Sequence, residues 1–427
     1  MNKVFCGVLC ILSFATLITS GFSSVAGISP ERIIQVARFE GGQHNNLFGY
    51  SLALEGNILV VGDPYDDQAG VEAGAVTIFQ SDQADGWKEI TRVTPVDAEA
   101  GIHFGRDVAI SGDLLAVGAP YDNDLWERSG SVYLFERNQG GADAWGQVAK
   151  LVASDAYTYD QFGWAVAVSG DTVAAGAYTK MYGGRVYIYE HDSEEPGEWV
   201  EVAQLNPDPP GLQDCFGEAL DMEDDLLAVG AYGGGDYSGS AYIFQRQPVS
   251  NEWQRMARFR AADTDGYHYF GYSIALHDWN LLAGAPGADG MAGAAYIFTS
   301  NPSQPEIWIE QARLSASDAT LGDYFGFGLD LSNDFAWIGS PLHTDASGAI
   351  YLYERDQGGQ NQWGEVIVMT GDDTIPGDEF GYAATLDDNI GVVGAPRDLS
   401  HGAAYIFNIN PPWQINFPVM MHTSSNK

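Results

Sequence analysis

Three observations predict an all-β chain folded as a seven-bladed β-propeller of four-stranded antiparallel blades. The dipeptide Phe-Gly recurs seven times, at Phe48-Gly49, Phe104-Gly105, Phe162-Gly163, Phe216-Gly217, Phe270-Gly271, Phe325-Gly326 and Phe380-Gly381, at spacings of 54 to 58 residues. Fourteen residues after each Phe stands a further glycine, namely Gly62, Gly118, Gly176, Gly230, Gly284, Gly339 and Gly394. Every unit holds four strand-like segments, A to D, and no stretch of helical period follows the amino terminus.

Each segment has its own reason to be a strand. Strand A follows Phe-Gly, as in Tyr50-Ser-Leu-Ala-Leu54, where bulky residues alternate with small ones and the small face lets a neighbouring sheet approach. Gly56-Asn57, Gly112-Asp113 and Gly170-Asp171 then supply the two-residue hairpin chemistry that tolerates positive φ. Strand B is apolar throughout, as in Leu226-Leu-Ala-Val229, which suits burial on both faces. It exits through variants of Gly-Ala-Pro, intact at Gly118-Ala119-Pro120, Gly284-Ala285-Pro286 and Gly394-Ala395-Pro396. Strand C alternates and ends in an aromatic, as in Gly402-Ala-Ala-Tyr-Ile-Phe407. Strand D opens on Trp87, Trp145, Trp199, Trp253, Trp308 or Trp363 and is amphipathic, as an outer edge requires. The segment Ile34-Gln-Val-Ala-Arg-Phe39 resembles a D strand but has no A to C strands before it. In a ring it pairs as the outer strand of the seventh blade and closes the circle.

The amino terminus reads as a secretory signal peptide over residues 1–26, with Lys3, an apolar run and the small residues Ser24-Val25-Ala26. The propeller then spans 27–410 and a tail occupies 411–427. Two of the three cysteines lie in the signal, leaving Cys215 without an intrachain partner. The formal net charge is −39, from 58 acids against 19 Lys and Arg. That charge argues against nucleic acid and against an anionic membrane surface. No later segment is long enough to span a bilayer, so no integral membrane segment is expected in the mature chain.

Phe-Gly followed by Gly-Ala-Pro in seven tandem copies resembles the FG-GAP repeat, the unit of the integrin α-subunit amino-terminal propeller and of many exported repeat proteins. The resemblance covers roughly residues 33–410. It implies the propeller fold and leaves function open, because the fold hosts many roles. It also makes Ca²⁺ possible, since integrin propellers bind it in A to B hairpins carrying Asp-x-Asp-x-Asp-Gly. Here the fixed interval leaves room only for strand A, a short turn and strand B, so those loops are absent and no metal or other cofactor is assigned. Asp263-Thr-Asp265-Gly266 is a fragment of such a loop, but it falls between strands D and A and reads as a turn.

The repeat residues themselves read as structural, because a position used seven times around a ring does not mark one site. Departures from the repeat are more informative. Strand directions place the D to A and B to C loops on one face, and that face is rich in acid. The D to A loops carry the pairs Asp155/Asp160, Asp208/Asp214, Asp318/Asp323 and Asp373/Asp378. Turn-forming Asp and a face for cationic partners are both open readings. Aromatics are interleaved with the acids, among them Tyr157, Tyr159, Tyr232, Tyr237 and Tyr267. The B to C loops at 63–73 and 119–129 are the longest, whereas that at 178–183 is short and carries Lys180. Blades one to three thus break the symmetry most, and the candidate ligand-binding face is Tyr65, Asp66, Asp67, Tyr121, Asp122, Asp124, Trp126, Tyr178, Lys180 and Tyr182. His44, His103, His268, His343 and His401 also fall in loops of this face, at no ligand spacing.

The sequence holds no nucleophile elbow, zinc-protease helix or phosphate loop. It therefore reads as a secreted or cell-surface binding or adhesion module, without catalytic residues, for a protein or carbohydrate ligand at the cell exterior. A carbohydrate-active hydrolase or lyase, with carboxylates at the mouth of the central channel, is the rival from another class. A structural surface component without a specific ligand is the third reading.

Overall fold

A computed structural model describes residues 33–409, apart from short segments at 43–45, 83–85, 182, 193–196, 209–210, 212, 264–265, 302, 358 and 360. The signal peptide, the tail, His44, Tyr182 and Asp265 lie outside the described residues. Among the described residues twenty-eight strands form seven four-stranded sheets, every pairing within them antiparallel. Blade 1 runs Ser51–Glu55, Ile58–Asp63, Ala75–Asp82 and Gly86–Val93 as strands A to D, and the next five blades repeat that order. Blade 7 takes A to C from Ala383–Asp387, Ile390–Ala395 and Ala403–Ile409, and its outer strand is Ile33–Glu40. Pairing runs from Ile33↔Ile409 to Glu40↔Ala403, so the amino-terminal strand closes the ring as expected. Among the described residues, helix is confined to short turns in B to C loops, such as Gly234–Tyr237 and His343–Ala346.

Burial follows the alternation read in the sequence. Strand B is buried along its length in all but the last blade, where only Ile390 is partly exposed. Hydrophobic clusters straddle blade boundaries: Ile58, Val60, Val76 and Ile78 of blade 1 pack with Phe104, Leu115, Val117 and Tyr133 of blade 2. Phe104 is fully buried and meets Tyr133 and Phe135 edge to face at 5.5 and 5.8 Å. Each such Phe contributes about 2–3 kcal/mol by area alone. The Phe backbone also bridges to the glycine that opens strand C of the preceding blade, from Gly74↔Phe104 round to Gly402↔Phe48.

The invariant interval has a steric cause. A Cβ on Gly118 would lie 2.0 Å from the carbonyl oxygen of Gly163, the Phe-Gly glycine of the next blade. The same approach, at 1.9 to 2.4 Å, recurs for all seven pairs and ends with Gly394 against Gly49. These glycines are the points where one blade's second strand touches the backbone of the next blade's first.

The outer strands share a second regularity. Each of the seven C to D pairings carries a register shift, as between Ile78 and Phe79 in blade 1 and between Gln35 and Ala37 in the closing strand. An extra residue there twists the strand and blunts the exposed edge against pairing with another chain.

Candidate functional site

The face formed by D to A and B to C loops is built on a repeated polar unit rather than on free acids. In blade 2, Tyr133 of strand C lies opposite Lys150 of strand D. The Tyr133 hydroxyl donates to Asp122 Oδ2 at 2.7 Å, and Lys150 Nζ lies 3.0 Å from Asp122 and 2.7 Å from Asp97, with Asp124 also in contact. Blade 5 repeats this with Tyr296, Arg313, Asp263 and Asp289, and blade 7 with Tyr405, Arg38, Asp373 and Asp398. In blade 1 Arg92 pairs with Asp66, which also accepts from Asn46 Nδ2 at 2.8 Å. A strand-D cation thus neutralises acids from both loop sets. Those acids in turn keep Lys150, Arg313 and Arg38 charged, raising each above its ordinary value against burial that would lower it.

Blades 3 and 6 lack that cation, because Gln204 and Val368 stand opposite Tyr187 and Tyr351. In both blades a B to C loop side chain takes its place beside the acids. Lys180 Nζ lies 2.6 Å from Asp160 and 3.1 Å from Asp155, and His343 Nδ1 lies 3.0 Å from Asp323. The broken symmetry that singled out Lys180 in the sequence is therefore a substitution within the polar unit.

The D to A acids also cap their own turns: Asp160 accepts from Tyr157 N at 2.7 Å, Asp214 from Gly211 N at 2.6 Å and Asp378 from Ile375 N at 2.6 Å. Such Asx turns fix the loops. Asp63 and Asp66 lie side by side under Asn46, and burial with the neighbouring Asp66 charge pushes Asp63 up to about 7.

Among the ten predicted face residues, Asp66, Asp122 and Lys180 are buried, at 0, 3 and 8% exposure, and belong to these polar units. Tyr65 and Tyr121 sandwich His103 at 4.5 and 4.6 Å, and Tyr178 packs on Trp164 at 4.4 Å. Asp67 is exposed and accepts from Glu72 N, while Asp124 is exposed on Lys150. Trp126 stands 54% exposed beside Tyr157 at 59%, their ring centres 6.2 Å apart. Tyr159, 47% exposed, donates its hydroxyl to Glu127 at 2.6 Å. Arg128 lies over Tyr121 at 4.8 Å and over Tyr159 at 6.0 Å. The backbone under this platform is held as at other blade junctions: Arg128, Tyr159 and Gln161 all have positive φ, and Tyr159 and Gln161 donate their N–H to the carbonyls of Glu127 and Arg128, as Tyr267 and Tyr269 do to Asp236 and Tyr237. These strained residues persist because two loops brace one another.

The central channel is a cavity of about 380 Å³ lined by the seven A strands. Its loop-face mouth is ringed by the residues that follow Phe-Gly: Tyr50, Arg106, Trp164, Glu218, Tyr272, Phe327 and Tyr382. Five are aromatic, and the two exceptions carry opposite charge. Sequence reasoning passed over this ring, although comparing the seven copies at that one position would have exposed it. Deeper in the channel, Asp107, Asp221 and Asp330 accept from backbone N–H groups of the following blade, Val166, Leu276 and Leu386, at 2.8, 2.6 and 2.6 Å. Burial pushes them up to about 6, 6 and 7.

Among the described residues no group of three or more His, Cys, Asp or Glu side chains is arranged to hold a metal ion. The A to B turns are two residues long in six blades and three in the sixth, too short to wrap a cation.

The pattern of the FG-GAP repeat matches seven times, over residues 40–79, 87–135, 145–189, 199–244, 253–298, 308–353 and 363–407. The chain belongs to the FG-GAP repeat family. Six of the matched units begin in a D strand and end in the C strand of the following blade, so the family's sequence unit is out of phase with the blade. That offset is why a lone D strand precedes the first Phe-Gly. Among curated proteins the chain is similar to integrin alpha-2 of Bos taurus, 27% identical over 218 residues, which covers 45% of this chain and 18% of the relative. It is also similar to integrin alpha-X of Mus musculus, 27% identical over 212 residues, covering 42% and 16%. The chain thus spans less than a fifth of the length of the curated relatives it matches.

Proposed function

We propose that this FG-GAP propeller is an exported binding or adhesion module, and that its loop face at blades 2 and 3 holds the ligand. The observation that carries the reading is the platform of Trp126, Tyr157 and Tyr159. Large aromatic rings left in water on a braced backbone are what a recognition surface needs, because little conformational entropy remains to be lost on contact. Tyr121, Arg128 and exposed Asp124 lie alongside and supply polar specificity. Similarity to integrin α chains supports a protein ligand at the cell exterior, and aromatic rings beside carboxylates suit a carbohydrate as well. The predicted signal peptide supports export, and among the described residues no helix is long and apolar enough to cross a membrane.

The hydrolase reading asks for a pair of carboxylates at the channel mouth. The mouth ring carries one, Glu218, and the deeper acids are engaged with backbone N–H groups. The binding reading is tested by probing an array of glycans and extracellular proteins with the purified protein and with Trp126→Ala/Tyr157→Ala. Release of reducing ends from a polysaccharide panel would favour the hydrolase instead.

A further inference from the structure

The channel mouth has a chemistry of its own, separate from the aromatic platform. The Arg106 guanidinium lies over Trp164 at 3.9 Å and over Tyr50 at 4.8 Å. The guanidinium is flanked by two rings, a contact that suits its planar, weakly hydrated group better than a lysine ammonium. No described carboxylate comes within ion-pair distance of it, so its edge donors face the channel mouth. Glu218 stands two blades away with Trp164 between; the Trp164 side chain bonds its carboxylate, while Oε2 is buried without a hydrogen-bond partner. The rest of the ring is aromatic: Tyr50, Tyr382, Phe327 and Tyr272 follow one another with centres 4.8 to 4.9 Å apart. All seven ring residues are partly exposed.

Three requirements on a ligand follow. It must present an acceptor to Arg106 and a donor to Glu218, which the hydroxyls of one polyol do. It must offer apolar C–H surface to the aromatic side chains around the mouth. It must also be uncharged, since a net charge of −39 repels anions and Arg106 already fills the place that a cation would take among the rings. We propose that the channel mouth binds a neutral sugar, a pyranose whose C–H surface packs against the aromatic side chains and whose free hydroxyls bond to Arg106 and Glu218. The orphaned Glu218 oxygen gains its missing partner in the complex.

Saturation-transfer NMR on the purified protein tests this, using methyl α- and β-glycosides of glucose, galactose, mannose and N-acetylglucosamine. Glucuronate and tetramethylammonium serve as anionic and cationic probes. At least one neutral glycoside is expected to bind with transfer to its ring C–H protons. Arg106→Lys and Glu218→Gln should each weaken that binding by about tenfold or more, the loss of one charge-assisted hydrogen bond. Val249→Ala, exposed in the C to D loop of blade 4 and outside both candidate sites, should leave it unchanged. If Arg106→Lys unfolds, Glu218→Gln, isosteric and uncharged, carries the test alone. The proposal is overturned if no neutral glycoside binds, if binding is indifferent to Glu218→Gln, or if glucuronate or tetramethylammonium is taken in preference. Loss with Val249→Ala would also overturn it, by separating the binding from the mouth.

Discussion

Glycine carries much of the architecture in this chain, and the structure separates two reasons for it. Gly118 has no room for a side chain, since its Cβ would meet the Gly163 carbonyl at 2.0 Å. Gly112 sits in open space and is constrained only by its φ of +58°. Gly118→Ala is therefore expected to destabilise the protein by about 3 kcal/mol through forced separation of two blades. Gly112→Ala should cost only about 1 kcal/mol of backbone strain. Urea denaturation of both variants checks the ranking, and equal midpoints would contradict it. The interval from Phe-Gly to the second glycine was legible in the sequence as a regularity. Its cause was not, because the contact joins residues of different repeats.

Within a blade, the cross-strand tyrosine and cation form a unit whose parts are interchangeable between elements. Lys180→Met removes the cation from buried Asp160 in blade 3 and is expected to cost about 3 kcal/mol, the penalty of a buried charge left unpaired. Adding Gln204→Lys should restore most of that loss, because Gln204 stands opposite Tyr187 as Lys150 stands opposite Tyr133. Thermal unfolding of the single and double variants is the measurement, and a double variant no more stable than Lys180→Met would refute the equivalence. The strands, their order and the closing segment could all be read from alternation and turn chemistry. The neutralisation of the acids could not, since it depends on a register set by the bulge in strand D. Several of the acids that made this face look negative in sequence are thus paired with cations, and the aromatic rings of Trp126, Tyr157 and Tyr159 stand exposed beside them.

For the molecule as a whole, the buried acids make stability depend on pH in two directions. In the folded protein Asp107 and Asp221 are pushed up to about 6, and Asp63, Asp330 and Glu218 to about 7, chiefly by burial. In the unfolded chain all five titrate near about 4. The folded state holds these protons longer, so their stabilisation is complete below about pH 4 and is lost as pH rises through 6 to 7. Other acids act oppositely. Against burial that would raise them, Lys150 holds Asp97, Tyr187 and Lys180 hold Asp155, and Thr320 and His343 hold Asp323 below the ordinary carboxylate range. Their contribution is lost as pH falls below about 4. Thermal midpoints should therefore peak between about pH 4 and 6 and decline toward pH 8, where self-repulsion of a chain carrying −39 adds to the loss. A midpoint rising steadily from pH 5 to pH 8 would contradict the assignment.

The claim that the blade 2 and 3 platform makes this propeller a binding module is tested most directly by one array experiment. Wild type, Trp126→Ala/Tyr157→Ala and Asp67→Ala are probed against the same glycans and extracellular proteins. A ligand held by wild type and by Asp67→Ala, but weakened about a hundredfold by the aromatic pair, is the predicted result. If every ligand found is retained equally by all three proteins, or if no ligand is found for any of them, the claim is contradicted.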